Sequence, residues 1–144
     1  MPAPIAIGRA APADVPLAPA NLAARPERRT EMELDLIEVG DDITKVLLRG
    51  RLDSPGVARI ESRFAAAAAA DDRHLVVDLG DVGFLTSMGI RMLIATARTK
   101  QRHGRKLVLF GAPPAVQKVL DYAALSELIP IVADEAAAMR AVAG

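Results

Sequence analysis

The chain has no cysteine and no tryptophan, and aromatic residues make up only 3% of its 144 residues. The lack of cysteine excludes disulfides, thiolate nucleophiles and thiolate-bound metals. Two histidines, His74 and His103, do not belong to any ligand-spaced cluster, so no metal site is expected. No apolar run reaches the roughly 18–20 residues that span a bilayer. Prolines 2, 4, 12, 16 and 19 interrupt every candidate signal-peptide core, which makes the cytoplasm the expected location. The formal net charge is zero and the pI about 6.7, which gives no general case for nucleic-acid binding.

Catalytic signatures are also missing. The sequence around Ser87 has no G-x-S-x-G elbow and no histidine placed to serve it as a base. Neither a Walker A loop nor G-x-G-x-x-G occurs, and "GDVG" at 80–83 is too short to cradle a phosphate. The expectation is a binding protein, not an enzyme, with no catalytic residue and no cofactor.

The sequence falls into two parts. Residues 1–30 hold six of the ten prolines, many alanines and no hydrophobic periodicity, which predicts a disordered leader or docking arm. Residues 31–144 are expected to fold. Met32, Leu34 and Leu36 alternate with acids, the period of a half-buried strand. Gly40-Asp41-Asp42 supplies a turn, and Val46–Leu48 a second strand that ends at Gly50. Asp53-Ser54-Pro55 signals a helix start, with Val57, Ile60 and Phe64 on its buried face to about residue 70. Leu75–Leu79 reads as a short interior strand.

Ile90, Leu93, Ile94 and Ala97 predict a helix over 87–103 that Gly104 stops. Leu107–Phe110 is a strand, Pro113-Pro114 opens a helix through Leu120, Ile129 and Ile131 mark a short edge strand, and 134–142 form a last helix. The order β-β-α-β-α-β-α-β-α predicts an α/β fold, a mixed sheet of four or five strands packed against about four helices.

The stretch "GFLTSMGIRMLI" at 83–94 separates two apolar runs with adjacent hydroxyls and a glycine. Ser87 sits where a helix cap is expected. Gly89 costs helix stability, about 1 kcal/mol relative to alanine, and leaves room beside Ser87 for another surface. Met88 and Met92, four apart, are expected on an exposed side suited to docking. Residues 87–106 carry six Lys/Arg and no acid, with Arg91, Arg98 and Arg102 forming a stripe. The first hairpin carries the opposite sign.

"GRLDS" at 50–54 and "HLVVDLGDVGFLTSMGIRMLI" at 74–94 resemble a STAS domain of the anti-sigma factor antagonist type, as does "GRKLVLFGAPPAVQKVLDYAALSELIPI" at 104–131. The resemblance spans about residues 31–142. It implies the family's mixed sheet and helices, and binding to an anti-sigma factor, often a serine kinase, so that a sigma factor is released. It also implies reversible phosphorylation, undone by a phosphatase, at the serine that opens the second helix. By position that serine is Ser87, with Gly89, Asp78 and Asp53 matching other family positions.

Thr86 replaces the usual aspartate before the serine, and Met88 the usual serine after it, which makes Thr86 an alternative phosphosite. The docking surface is expected to comprise Asp53, Ser54, Asp78, Thr86, Met88, Gly89, Arg91 and Met92. Stand-alone domains of similar shape also serve ABC-type ATPases in bacterial lipid trafficking or assemble into stress-sensing scaffolds. Both roles, and a weak homodimer, stay open at this point.

Overall fold

The computed structural model describes residues 31–70 and 72–143. The expected disordered leader lies outside the described residues. Five strands form one sheet in the order β1-β2-β3-β4-β5. They are β1 Glu33–Val39, β2 Ile43–Leu52, β3 His74–Leu85, β4 Leu107–Phe110 and β5 Ile131–Val132. Only the β1–β2 hairpin is antiparallel, and β2 through β5 run parallel. The helices are α1 Ser54–Ala70, α2 Ser87–Arg102, α3 Pro114–Tyr122 and α4 Glu135–Ala143.

The two sheet faces are covered unequally. On one, Met32, Leu34, Val46, Leu48, Leu75, Val77, Leu107 and Leu109 pack with Val57, Ile60 and Phe64 of α1, Leu93 of α2, and Val116 and Leu120 of α3. On the other, α4 lays Ala138 and Val142 against Val76, Val108 and Phe110. Burial on both sides explains why Leu75-Val76-Val77 and all of β4 are continuous apolar runs, whereas β2, one strand in from the β1 edge, alternates in burial.

The exposed edge of β1 is answered by α1. Arg59 Nε donates to Met32 O at 3.0 Å and Arg63 Nη2 to Leu34 O at 2.9 Å. An open row of carbonyls invites pairing with another chain, and these two arginines close the first half of it. Arg73 secures the hairpin turn, donating to Gly40 O, Asp41 O and Thr44 Oγ1.

Two strands run longer than their patterns indicate. β3 continues six residues past Leu79, through Gly80-Asp81-Val82-Gly83-Phe84-Leu85, a stretch whose glycines and aspartate read as a loop. The register against β2 shifts between Leu47 and Arg49 and again between Gly50 and Arg51, so β3 holds one extra residue at each bulge. β2 likewise begins at Ile43 and carries on past Gly50 to Leu52. At the far edge, Ile129 lies in the core after a 3-10 turn at Leu125–Glu127, so β5 keeps only Ile131 and Val132.

His74 opens β3, and its Nδ1 accepts the Lys106 backbone N–H at 3.0 Å. Partial burial, reinforced by Arg105, Lys106 and Lys100 and opposed by Asp42, holds its pKa below the ordinary 6.5. An unfolded chain therefore binds the proton first as pH falls below 6.5, so stability is insensitive to this group above that value and declines beneath it. Urea midpoints of the wild type should fall on acidification from about pH 7 to about pH 5, and less so in His74→Asn, whose Oδ1 can accept the same N–H without titrating. Equal slopes in the two proteins would remove His74 as the cause.

Candidate functional site

The site forms where β2 and β3 end and α1 and α2 begin. Asp53 starts α1, its Oδ1 accepting the Gly56 N–H at 2.9 Å. That bond, aided by Arg51, holds the Asp53 carboxyl below its ordinary pKa. Gly56 is required for closeness, since a Cβ there would stand 1.9 Å from Arg51 O. Arg51 Nε reaches Asp53 Oδ2 at 3.2 Å, and its guanidinium lies 4.1 Å from the centre of the Phe84 ring.

Thr86 joins the two strand ends. Its backbone N–H donates to Leu52 O at 3.1 Å and its Oγ1 donates to the same oxygen at 2.8 Å. Thr86 is therefore the N-cap residue of α2 by backbone geometry, but its side chain is turned back to β2 and caps nothing. Ser87 is the first helical residue. The expected serine cap is thus displaced by one residue, because Leu52 O holds Thr86 at the extended position before the helix. The Ser87 hydroxyl is exposed and makes no hydrogen bond among the described residues.

Other expected site residues separate by burial. Met88 and Phe84 each stay 40% exposed. Met92 is buried, 4% exposed, because one further turn rotates it toward α1 and the core. The reading of Met88 and Met92 as one exposed pair is corrected: α2 buries a wider arc than Ile90, Leu93, Ile94 and Ala97 mark out, including Gly89, Met92, Thr96 and Lys100.

Gly89 points inward as well. A Cβ there would stand 2.7 Å from Leu85 Cδ1 and 3.0 Å from Leu52 Cβ. The glycine thus brings α2 close to the strand ends and does not open space for a partner. Ser54 and Arg91 are exposed and Asp53 is partly so. Asp78 is not part of the group, since it pairs with Leu47 and Phe110 in mid-sheet, seven residues before Leu85 and about 20 Å along the strand. There its Oδ1 accepts the Gly80 N–H at 2.8 Å.

Phe84 and Arg51 were not legible as site residues, because both lie on strand extensions that the glycines conceal. Their cross-strand pairing puts them beside each other. Among the described residues there is no cluster of three or more His, Cys, Asp or Glu that could hold a metal. No described helix is long and apolar enough to cross a membrane. The arrangement is a small apolar and cationic platform around one free hydroxyl, suited to binding.

Residues 37–131, about two-thirds of the chain, match the family model described as Mlab, STAS domain. The chain belongs to the STAS domain family. It is 26% identical over 101 residues to BtrV of Bordetella bronchiseptica, described as an anti-sigma factor antagonist, covering 70% of this chain and 87% of the relative. An anti-sigma factor antagonist from Mycobacterium paratuberculosis superposes with a TM-score of 0.67 at 26% identity, covering 78% of this chain and 95% of that one. The Bacillus cell fate determinant SpoIIAA in its phosphorylated form shares the fold, with a TM-score of 0.59 at 19% identity over 76% of this chain and 99% of its own.

Replacing Gly89 by alanine should lower stability by about 1–3 kcal/mol, since Leu52 and Leu85 must give way to the new methyl group. Thermal denaturation checks this. A melting temperature equal to the wild type would mean that the strand ends are looser than the contacts indicate.

Proposed function

We propose that this chain is an anti-sigma factor antagonist that binds an anti-sigma factor, itself a serine kinase, and so frees a sigma factor. Ser87 is the residue through which the interaction is switched. The observation that carries the choice is the contrast between the two hydroxyls. Thr86 Oγ1 is committed to Leu52 O, whereas Ser87 is exposed and unbonded among the described residues. A kinase needs a hydroxyl that can turn toward it, which favours Ser87 over Thr86. The descriptions of BtrV and the mycobacterial protein support the general role. The phosphorylated SpoIIAA supports a fold that tolerates a phosphate.

The physics of the switch follows from position. A phosphate adds about −1.5 to −2 charge units at neutral pH. On the first residue of α2 it meets free N–H groups and the positive end of the helix dipole, so the domain itself need not rearrange. A partner that covers Phe84, Ser87 and Met88 would have to strip water from that charge, which disfavours binding unless the partner supplies a cation. The switch is thus steric and electrostatic, with a phosphatase resetting it. Action by binding, without turnover, completes the reading.

Capture from native lysate with wild-type, Ser87→Ala and Ser87→Asp baits, read by mass spectrometry, tests it. An anti-sigma kinase should be retained by the first two and reduced about tenfold or more with Ser87→Asp. Phosphopeptide mapping after incubation with that kinase should place the mark on Ser87. Capture of a transport ATPase equally by all three baits would overturn the reading and make the chain a transport subunit.

A further inference from the structure

Helix α2 carries a feature that the hydroxyl switch does not use. At 3.6 residues per turn, Ser87, Arg91, Arg98 and Arg102 fall within an arc of about 60° on the solvent side of the helix. All four are exposed. Arg91 and Arg98 have no hydrogen bond or ion pair among the described residues, and Arg102 reaches only Thr99 Oγ1, at 3.1 Å. The other arginines with an ion-pair partner include Arg49, Arg51, Arg59 and Arg105. The α2 stripe is therefore an unneutralised line of charge, about 16 Å from Arg91 to Arg102. No acid lies between residues 87 and 106 in the sequence, and Glu61 of α1, which lines the adjoining cleft, forms no ion pair with the three arginines.

Beside the stripe runs a shallow cleft of about 80 Å³ between α1 and α2, lined by Ala65, Ala68, Met92, Ala95, Thr96 and Thr99, with Glu61 as its one acid. Small side chains there let another rod approach closely. We infer that this face of α2 receives an acidic helix of a protein partner, its carboxylates over Arg91, Arg98 and Arg102 and its small apolar edge in the cleft. Residues 31–144 hold sixteen Asp and Glu against fourteen Lys and Arg, a net −2. With the whole chain neutral, the uncompensated positive charge is local to a stripe about 16 Å long, a length that a short acidic helix matches.

The inference rests on the preceding reading in one respect: Ser87 heads the same line of charge, one turn before Arg91. A phosphate there competes with the partner's carboxylates for Arg91, since an acid four residues ahead of a base on a helix is the favourable pairing. Phosphorylation would then weaken attraction to the whole stripe as well as blocking its head.

The test uses the full chain and a fluorescein-labelled alanine-based peptide with glutamates along one helical face, followed by anisotropy. A lysine-for-glutamate peptide, a DNA duplex and phosphatidylserine vesicles are the comparison probes. Arg91→Gln/Arg98→Gln/Arg102→Gln removes the charge from exposed positions, and Arg140→Gln removes one exposed charge from α4. The acidic peptide should bind the wild type and Arg140→Gln alike, lose affinity about tenfold in the triple variant, and weaken as salt rises from about 50 to about 300 mM. Equal peptide binding by the triple variant, or tighter arginine-dependent binding of DNA or vesicles, would overturn the inference. If the partner captured in the lysate experiment depends on Ser87 but not on the three arginines, the stripe fails while the switch stands. If the peptide needs the arginines and no captured partner responds to Ser87, the stripe stands and the switch fails.

Discussion

One carbonyl oxygen, that of Leu52, organises the end of the sheet from which α1 and α2 depart. It accepts both the backbone N–H and the hydroxyl of Thr86, at 3.1 and 2.8 Å. Leu52 itself is fully buried at the end of β2. A doubly occupied carbonyl in this setting is costly to release, because an unsatisfied buried acceptor loses the full value of its hydration. Thr86 is therefore fixed in extended geometry, and Ser87 must enter the helix at its first residue with a free hydroxyl. The two glycines nearby follow from the same constraint. Gly56 lets α1 pass against Arg51, and Gly89 lets α2 pass against Leu52 and Leu85.

A rigid base beneath an exposed side chain is what a modification switch needs. If the loop yielded, a phosphate would be absorbed by local rearrangement and a partner would sense little of it. Because Thr86 is pinned and Gly89 is packed, the phosphate proposed for Ser87 would stay on the surface and alter only what the surface can meet. The neighbours reinforce this. Phe84 and Met88 supply apolar area, and Arg51 is held over the Phe84 ring while tied to Asp53. The arginines of α2 extend the positive field away from the hydroxyl, so charge and contact are arranged along one direction.

Much of the framework was legible in the residues. The stripe Val57, Ile60, Phe64 located α1 and its buried face, and Gly104, at φ 72°, ends the second helical run as expected. The site was harder to read. Two bulges let Gly80 and Gly83 stand inside a strand, and only the parallel pairing with β2 shows that Phe84 faces Arg51. Met88 and Met92 have the same chemistry, and α1 decides which one is covered. Asp78 matched a family position but sits at the first bulge of β3, its carboxylate accepting the Gly80 N–H.

Hydrophobic periodicity and punctuation by themselves determined the class of fold, the element order, the inner faces of the helices and the place of the hydroxyl pair, because these depend on near neighbours in the chain. Tertiary structure alone decided which hydroxyl is free, why Gly89 is a glycine, and how far β3 runs. Each of those outcomes turns on contacts with Leu52 or its strand, more than thirty residues before Ser87, and a contact at that separation leaves no periodic trace in the local sequence.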